Sequence, residues 1–537
     1  MVCLTRLHVA ARLLFARLLP ARLLPTGLVL AAILTAPGGA LAQALPGMRA
    51  PTREQVVAKL PALAALAQRA VAAGEVPGVA IAVVLGDETL FVEGFGLRQT
   101  GRPEPVGPDT VFQVASLSKA VTATVVAALV GAGLVDWDAR VADLDPAFRL
   151  SEPYPTAAVT VRDFLNHRSG LPGSAGDDLE DLGFNRDAIL PQLRLVRPSS
   201  SFRAGYAYSN FGFTEGAIAA ARPTGKPWEI VAREHLFDPL GMNATSMVHR
   251  DFLARPDRAA LHVRVADAWV ARLTRDPDAQ APAGGVSSSA RDLARWLRLV
   301  VNAGQFEGRQ RIPSAALAEM HKPLMARGPN PVTGGASFYG LGWNVEYGRH
   351  GTVWGHAGAF SVGAQTLVAI HPGAKLGLVV LTNGFPSGVP EGLADSFADL
   401  VFDGQVSRSW LQEWGAAYGG LFAPSLAAAK AANAAPADAT GSLPLAAYMG
   451  RYANAYAGEA VVAAVDGALT LTLGPQPGRT YPLRHVDRDR FASFPDAEMP
   501  DRPSAIRFAI GRGGQADAVT VDALDSNGLG TLARVPD

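Results

Sequence analysis

The sequence has 537 residues, of which 49% are hydrophobic and 18% are charged, and its formal net charge is zero. That length is enough for two or three domains with substantial cores. The balanced charge gives no reason to expect nucleic acid or an anionic membrane as a partner. The single cysteine, Cys3, excludes a disulfide framework.

The first 42 residues have the organisation of a secretory signal peptide. Four arginines are their only charged residues other than histidine, an uncharged stretch from 26 to 36 follows, and Ala40-Leu41-Ala42 is a small-x-small cleavage site. An uncleaved anchor is disfavoured because the apolar stretch is short and ends in Pro37-Gly38-Gly39. We expect cleavage after Ala42, export to the periplasm or medium, and no stable membrane anchoring. The exported chain would carry 44 basic and 48 acidic residues, a net charge of −4.

The next segment predicts a helix and a hairpin. Apolar residues recur at helical spacing from Arg53 to Ala73. The apolar run Val79 to Leu85 predicts a buried strand, and the turn Gly86-Asp87 leads to a second strand ending at Gly96.

Ser116-Leu117-Ser118-Lys119 opens an apolar helical run and is the most informative motif of the sequence. A serine and a lysine three apart lie on the same face of a helix. A desolvated, neutral lysine can take the proton of the serine hydroxyl, so the pair has the geometry of a self-activating nucleophile. A solvated surface lysine is the plain alternative, but apolar segments on both sides of the motif disfavour it.

Residues 134–270 mix helical patterns with Pro-, Gly- and Asp-rich loops, which predicts a helical insertion. Within it, Tyr208-Ser209-Asn210 offers a phenol and an amide. Because nearby positive charge favours phenolate, the pKa of Tyr208 is expected to be lowered, and Tyr208 could share proton transfer with Lys119. Asn210 could fix Lys119 or a substrate carbonyl. The alternative is a packed tyrosine beside a helix cap.

The following region predicts a helix and three strands. A helix from Ser288 to Val301 is expected with Ser287 as its cap. The expected strands are Tyr339 to Glu346, Ser361 to Ile370 and Leu376 to Thr382, and the last two are joined by a turn at 371–375. His356-Ala357-Gly358 would open one of these strands. Gly358 would let a substrate approach the strand edge, and the backbone NH groups of Ala359 and Ser116 would form an oxyanion hole.

The C-terminal part changes in composition. The alanine- and proline-containing segment 424–443 is predicted as a linker, although a helix is the alternative there. Short strands separated by turns follow, including Ala460 to Val465 and Leu469 to Leu473, and predict a small all-β barrel over 444–537. The order of strands, helices and returning strands before the linker predicts an α+β fold.

The ordered set S-x-x-K, Y-x-N and H-x-G resembles the serine β-lactamase and penicillin-binding protein superfamily. Its tyrosine is typical of the class C-like branch, which includes peptidase S12-type hydrolases. Phe164 to Pro172 and Ala283 to Trp296 also resemble segments of that branch. The resemblance spans roughly residues 50 to 400, and the tail from Tyr448 resembles, more weakly, a lipocalin-like β-domain.

The resemblance implies a DD-peptidase-like sandwich of antiparallel sheet and helices with a helical insertion, covering 43–423. It implies that Ser116 is the acylated nucleophile and that Lys119 and Tyr208 are the acid and base. Asn210, His356 and Gly358 would position the substrate, and the NH groups of Ser116 and Ala359 would bind the oxyanion. One departure is His356, which stands where β-lactamases usually have lysine.

The sequence therefore predicts an exported serine hydrolase acting on small ester or amide substrates of the D-amino-acid type, without metal or cofactor. Two alternatives stay open: a class C-like β-lactamase or D-alanyl-D-alanine carboxypeptidase, and a slowly deacylating penicillin-binding sensor. An α/β-hydrolase is disfavoured because the nearest G-x-S-x-G candidate, 359–363, lacks its first glycine. The partner is expected to be a small molecule or peptide; the sequence does not indicate the oligomeric state.

Overall fold

The computed structural model describes residues 50–497 and 499–536. The signal peptide predicted over 1–42 lies outside these residues. Within them, two β-sheets dominate: a large sheet flanked by helices and a C-terminal barrel-like sheet.

The large sheet has eight antiparallel strands in the order β2-β1-β8-β7-β6-β5-β4-β3. The strands are β1 (Gly78–Leu85), β2 (Glu88–Gly96), β3 (Met325–Pro329), β4 (Ala336–Tyr339), β5 (Asn344–Gly348), β6 (Gly351–Phe360), β7 (Ala364–His371) and β8 (Leu376–Thr382). The predicted hairpin of β1 and β2 is confirmed, with Val79 opposite Phe95. Because β1 and β8 are central strands, they are buried on both faces, which explains their uninterrupted apolar sequences.

Helices cover both faces of this sheet. The main helices are α1 (Leu60–Ala72), α2 (Ser118–Gly131), α3 (Asp177–Asp181), α4 (Asn210–Ala221), α5 (Ala290–Val301), α6 (Val389–Phe402) and α7 (Trp410–Ala432). Helices α1 and α6 pack on one face of the sheet and α2 and α5 on the other, whereas α3 packs in the core that contains the barrel strands. Alternate β1 side chains enter two different cores, so Ile81 packs with α1 and α6 while Ala82 packs with α2 and α5. Helix α2, which carries Lys119, is therefore buried between the sheet and the helical insertion.

Shorter elements complete this part of the molecule. The remaining helices are Arg53–Val57, Val141–Leu144, Pro153–Ala158, Val161–Leu165, Arg186–Ile189, Trp228–Ala232, Asp238–Leu240, His249–Ala254, Ala281–Gly284 and Ser314–Met320. The remaining strands are Val111–Gln113, His262–Val265, Ala268–Val270, Ser287–Ser289, Gln305–Phe306, Arg309–Gln310 and Gly384–Phe385. Val111–Gln113 pairs with Ser287–Ser289 directly before α2 and anchors the start of that helix.

Several predicted boundaries are wrong. Tyr339 to Glu346 is not one strand, because β4 ends at Tyr339 and a turn precedes β5. His356 does not open a strand but lies inside β6, whose three glycines gave no strand-like pattern. The cap of α5 is Ser289, whose side chain accepts from Asp292 N at 3.2 Å, because Ser287 to Ser289 forms a strand.

The predicted linker is partly helical. α7 continues to Ala432, so residues 424–432 are helix and only the segment after it is irregular. Alanine has the highest helix propensity, and a run of alanines sustains the helix despite Pro424 within it. The helix ends at Asn433.

The C-terminal region is a nine-stranded antiparallel sheet that is nearly closed. Its order is β12-β11-β10-β9-β17-β16-β15-β14-β13. The strands are β9 (Gly450–Asn454), β10 (Gly458–Val465), β11 (Ala468–Leu473), β12 (Arg479–Pro482), β13 (Arg484–Asp487), β14 (Arg490–Ser493), β15 (Ser504–Ile510), β16 (Ala516–Val521) and β17 (Thr531–Arg534). The predicted all-β barrel is therefore confirmed in its strand content.

The barrel and the helical insertion share one hydrophobic core. Leu179 and Leu182 of the insertion pack in the same cluster as Tyr452 and Leu471 of the barrel. The Tyr456 hydroxyl also donates to Asp178 Oδ1 at 2.5 Å. The barrel thus supports α3, which carries Asp178.

Among the residues that the structure describes, none of the helices combines the length and apolar character that crossing a bilayer requires.

Candidate active site

Ser116 lies in a tight turn between the short strand Val111–Gln113 and α2. The turn is the 3₁₀ segment Ala115–Leu117, and Ala115 has a left-handed φ of 49°. Such a conformation is strained for alanine, and it directs the chain sharply from the strand into α2. Ser118 Oγ accepts from Val286 N at 2.9 Å and holds this turn against the neighbouring segment.

Lys119 is completely buried and contacts three oxygens. Its Nζ lies 3.2 Å from Ser116 Oγ, 2.8 Å from Asn210 Oδ1 and 3.0 Å from the carbonyl oxygen of Ala283. Burial lowers the pKa of Lys119 from 10.5 to about 7, although the carboxylates of Asp177 and Glu180 raise it. A substantial fraction of Lys119 is therefore neutral at physiological pH.

The second motif reaches Lys119 from the insertion. Asn210 is the first residue of α4, and Ser209 caps this helix by accepting from Gly212 N at 3.1 Å. The ring of Tyr208 has its centroid 4.5 Å from Lys119 Nζ. The four side chains of the first two motifs are thus brought together around one amine.

The expected lowering of the Tyr208 pKa is wrong. Burial raises the pKa of Tyr208 well above its usual range, and the hydrogen bond with Ser116 lowers it by less. The ring packs against His167, with centroids 4.5 Å apart, and this packing reduces the solvation that a phenolate would need. Tyr208 is consequently a protonated hydrogen-bond donor at neutral pH.

The third motif lies on β6, whose second half has a free edge. β5 pairs only with residues 351–355 of β6, so the backbone from His356 to Phe360 is unpaired on that side. Gly358 faces the nucleophile turn: a Cβ there would lie 2.2 Å from Val114 O and 2.8 Å from Leu117 N. The missing side chain of Gly358 lets the strand approach the turn that carries Ser116, and its role in substrate approach stays a prediction. Ala359 follows on the exposed face of β6.

His356 is buried and neutral. Its Nδ1 lies 2.6 Å from Ala357 O and its Nε2 lies 3.0 Å from the Tyr339 hydroxyl. A carbonyl oxygen can only accept, so Nδ1 carries the proton and Nε2 accepts from Tyr339. Burial, followed by the charge of Lys119, lowers the pKa of His356 to about 3. His356 therefore cannot replace the positive charge of a third-motif lysine.

Three functional positions were not predicted from the sequence. His167 accepts from Ser209 N at 3.1 Å through Nδ1 and so holds the second motif. The Ala283 carbonyl fixes Lys119, and Asp177 lies with both carboxylate oxygens 3.4 Å from Asn210 Nδ2. His167 and Ala283 belong to the two segments whose family resemblance was noted. Asp177 belongs to an acidic run that is typical of a solvated helix, so its position beside Asn210 could not be predicted from the sequence.

One group of potential metal ligands exists within the described ranges, 50–497 and 499–536. His350, Asp399 and Asp403 place their ligand atoms within 4.8 Å of one another. The Arg349 guanidinium donates to both carboxylates, so a side-chain cation already balances part of their negative charge. The cluster is an ion-pair network joining β5 and β6 to α6.

The family of the chain follows from comparison of its sequence. Residues 63–401, more than half of the chain, match the family model described as Beta-lactamase. The chain belongs to the Beta-lactamase family. This family consists of serine hydrolases, and all the motif residues lie inside the matched range. Residues 434–530 match a domain of unknown function, DUF3471, so the lipocalin-like resemblance of the barrel stays a prediction.

Individual proteins of the family support the assignment. Penicillin-binding protein 4 of Amycolatopsis lactamdurans is 30% identical over 58% of this chain and 81% of its own length. Esterase/beta-lactamase LipL of Mycobacterium tuberculosis is 27% identical over 43% of this chain and 60% of its own length. The octameric penicillin-binding protein homologue from Pyrococcus abyssi has a TM-score of 0.54 at 19% identity, covering 86% of this chain and 98% of that one. The similarity to the Pyrococcus abyssi protein shows a shared fold.

Proposed function

We propose that this Beta-lactamase family member is an exported hydrolase that forms an acyl-enzyme on Ser116 and hydrolyses small esters or amides of the D-amino-acid type. The observation that carries the proposal is the environment of Lys119. This amine is fully buried, contacts Ser116 Oγ, and has a pKa of about 7. A base with that pKa can accept a proton from serine at neutral pH.

In the proposed acylation, neutral Lys119 donates its two hydrogens to Asn210 Oδ1 and the Ala283 carbonyl. Its lone pair then faces the Ser116 hydroxyl, at the observed separation of 3.2 Å. Lys119 takes the hydroxyl proton while Ser116 Oγ bonds to the substrate carbonyl carbon. The carbonyl oxygen becomes an oxyanion, which the NH groups of Ser116 and Ala359 would stabilise.

Tyr208 is proposed to deliver the proton that the leaving group needs. Its raised pKa keeps the phenol protonated, and it shares a hydrogen bond with Ser116. As the bond from the carbonyl carbon to the leaving group breaks, Tyr208 gives its proton to that group and recovers one from protonated Lys119. Water then attacks the acyl-enzyme with Lys119 as base, which releases the acid and restores Ser116.

The neutral third motif favours substrates without a carboxylate beside the scissile bond. A third-motif lysine would attract such a carboxylate, whereas His356, with a pKa of about 3, carries no charge at neutral pH. Simple esters and amides of amino-terminal D-residues lose little from this change. The name of LipL, esterase/beta-lactamase, supports including both esters and β-lactams among the test substrates.

A second candidate function is that of a class C-like β-lactamase or D-alanyl-D-alanine carboxypeptidase. The observation that favours it is Arg327 on β3. Its guanidinium lies 5.7 Å from the centroid of the Tyr206 ring, donates to Asn344 Oδ1 at 2.7 Å, and lowers the pKa of His356 through its charge. Arg327 is exposed and could attract a substrate carboxylate near the third motif.

The deciding experiment combines labelling with a substrate panel. A fluorophosphonate should add one phosphonyl group to Ser116, and Ser116→Ala should abolish both labelling and turnover; Ser151→Ala, at an exposed serine, is the control. The panel comprises p-nitrophenyl esters, D-amino-acid amides, D-Ala-D-Ala peptides and nitrocefin. Faster turnover of nitrocefin than of every ester and amide would replace the proposal with the β-lactamase function. Labelling without turnover would indicate a slowly deacylating sensor.

Export is tested separately by N-terminal sequencing of protein secreted from an expressing bacterium. The proposal requires a mature chain beginning at Gln43. Recovery of Met1 in a membrane fraction would contradict it.

A further inference from the structure

Helix α3 places three carboxylates next to the machinery around Ser116. They belong to Asp177, Asp178 and Glu180. A helix this short is held by its surroundings, and α3 is fixed by the insertion core and by the barrel. The three carboxylates therefore have defined and different environments.

Two of the three carboxylates already have strong donors. Asp178 Oδ1 accepts from the Tyr456 hydroxyl at 2.5 Å. Glu180 accepts from Arg275 Nη2 at 2.7 Å and from Gln280, and this pair is buried. Neither group is available to a substrate.

Asp177 differs from Asp178 and Glu180 both in its exposure and in the length of its hydrogen bonds. It is partly exposed, and its hydrogen bonds from Asn210 Nδ2 are long, at 3.4 Å to each carboxylate oxygen. The same Asn210 side chain binds Lys119, which contacts Ser116 Oγ. Asp177 is thus connected to Ser116 through the side chains of Asn210 and Lys119, and its partial exposure leaves room for a further donor.

We propose that Asp177 is a specificity residue that binds a primary ammonium group of the substrate close to the scissile carbonyl. The inference rests on the proposed hydrolase function and names its substrate class: esters and amides whose acyl part carries a free amine. An ammonium is a better donor to a carboxylate than the Asn210 amide, and can use the lone pairs that the long contacts leave weakly occupied.

The charge on Lys119 is consistent with this role. The carboxylate of Asp177 raises the pKa of Lys119 in the free enzyme. Burial, followed by the charge of Glu180, raises the pKa of Asp177 to about 7, so Asp177 is only partly ionised near neutral pH and an ammonium partner would favour its charged form. A substrate ammonium paired with Asp177 would offset the effect of this carboxylate on Lys119 and would repel a protonated Lys119. Binding of the cationic substrate therefore favours the neutral amine that Ser116 needs as its base.

The test compares two substrates that differ in whether the amine is free and charged or acetylated and neutral. D-alanine p-nitroanilide and its N-acetyl derivative are assayed at about pH 7, with the L-forms in parallel. The wild type should prefer the free amine in kcat/KM by roughly tenfold to a hundredfold, the range for a charge-assisted hydrogen bond. In Asp177→Asn that ratio should fall at least about tenfold, whereas Asp187→Asn, at an exposed position, should keep the wild-type ratio.

The outcomes separate this inference from the function on which it depends. Serine labelling and turnover of uncharged p-nitrophenyl acetate by the wild type test the hydrolase function alone. If both occur but the wild type shows no preference for the free amine, Asp177 does not bind an ammonium group. An Asp177→Asn variant that melts like the wild type and slows both anilides equally would also overturn the inference. Absence of labelling and of all turnover would instead refute the hydrolase function.

Discussion

Replacing Lys119 by arginine tests the proposed base most directly. Lowering the pKa of Lys119 from 10.5 to about 7 corresponds to about 5 kcal/mol, and it leaves roughly half of the side chains neutral at about pH 7. The pKa of arginine lies far above that of Lys119 in this site, so its neutral fraction at that pH is below roughly 10⁻⁵. If acylation requires a neutral base, Lys119→Arg should lower kcat/KM by roughly four orders of magnitude or more.

Stopped-flow release of p-nitrophenolate from p-nitrophenyl acetate measures this loss, because the substrate itself does not titrate. The wild-type kcat/KM should rise about tenfold per pH unit below about pH 7 and level off above it, since protonation removes the base. Lys322→Arg, at an exposed lysine, controls for the exchange of cation. Retention of more than about 1% of activity by a folded Lys119→Arg enzyme, or a wild-type limb centred near pH 10, would refute the assignment.

Three further substitutions test other parts of the site. Tyr208→Phe should lower kcat/KM by about a hundredfold or more. The rise of kcat/KM below about pH 7 should stay at the same pH, because burial raises the pKa of Tyr208 far above that range; a shifted rise would contradict this. Gly358→Ala should slow fluorophosphonate labelling and lower the melting temperature, because its Cβ would lie 2.2 Å from a main-chain oxygen, whereas Gly348→Ala, in open space, should do neither. Tyr456→Phe leaves the buried carboxylate of Asp178 with only the main-chain donor Leu179 N and should reduce the free energy of unfolding by about 1–3 kcal/mol in urea titrations.

The parts of the fold that could be predicted are those where pattern and burial coincide. The β1 and β2 hairpin was readable because a central strand is apolar on both faces and its turn is Gly86-Asp87. The run that contains Ser116 and Lys119 was predictable as a helix start because the helix that follows is apolar and buried along almost its whole length. β6 was not, because Gly358 serves the close approach to the turn that carries Ser116, and that requirement comes from another part of the chain.

The site was predictable where chemistry requires a particular side chain. Ser116, Lys119 and Tyr208 are reactive types in an ordered set, so sequence alone indicated them. The Ala283 carbonyl could not be found this way, because a main-chain oxygen leaves no trace in residue type. The direction of the Tyr208 pKa shift also depended on packing: the sequence shows the nearby amine but not the rings that reduce the solvation of the phenol.

The position of α3 connects the C-terminal barrel to the chemistry at Ser116. On one side of this helix Asp178 binds Tyr456 of the barrel, and on the other Asp177 meets Asn210, which orients Lys119. The barrel contributes no motif residue, yet it shares a hydrophobic core with the insertion that carries α3. Removing the barrel would therefore expose apolar surface and release α3, so the carboxylates that raise the pKa of Lys119 would no longer be held in place. The barrel is better regarded as support for the catalytic amine than as a separable appendage.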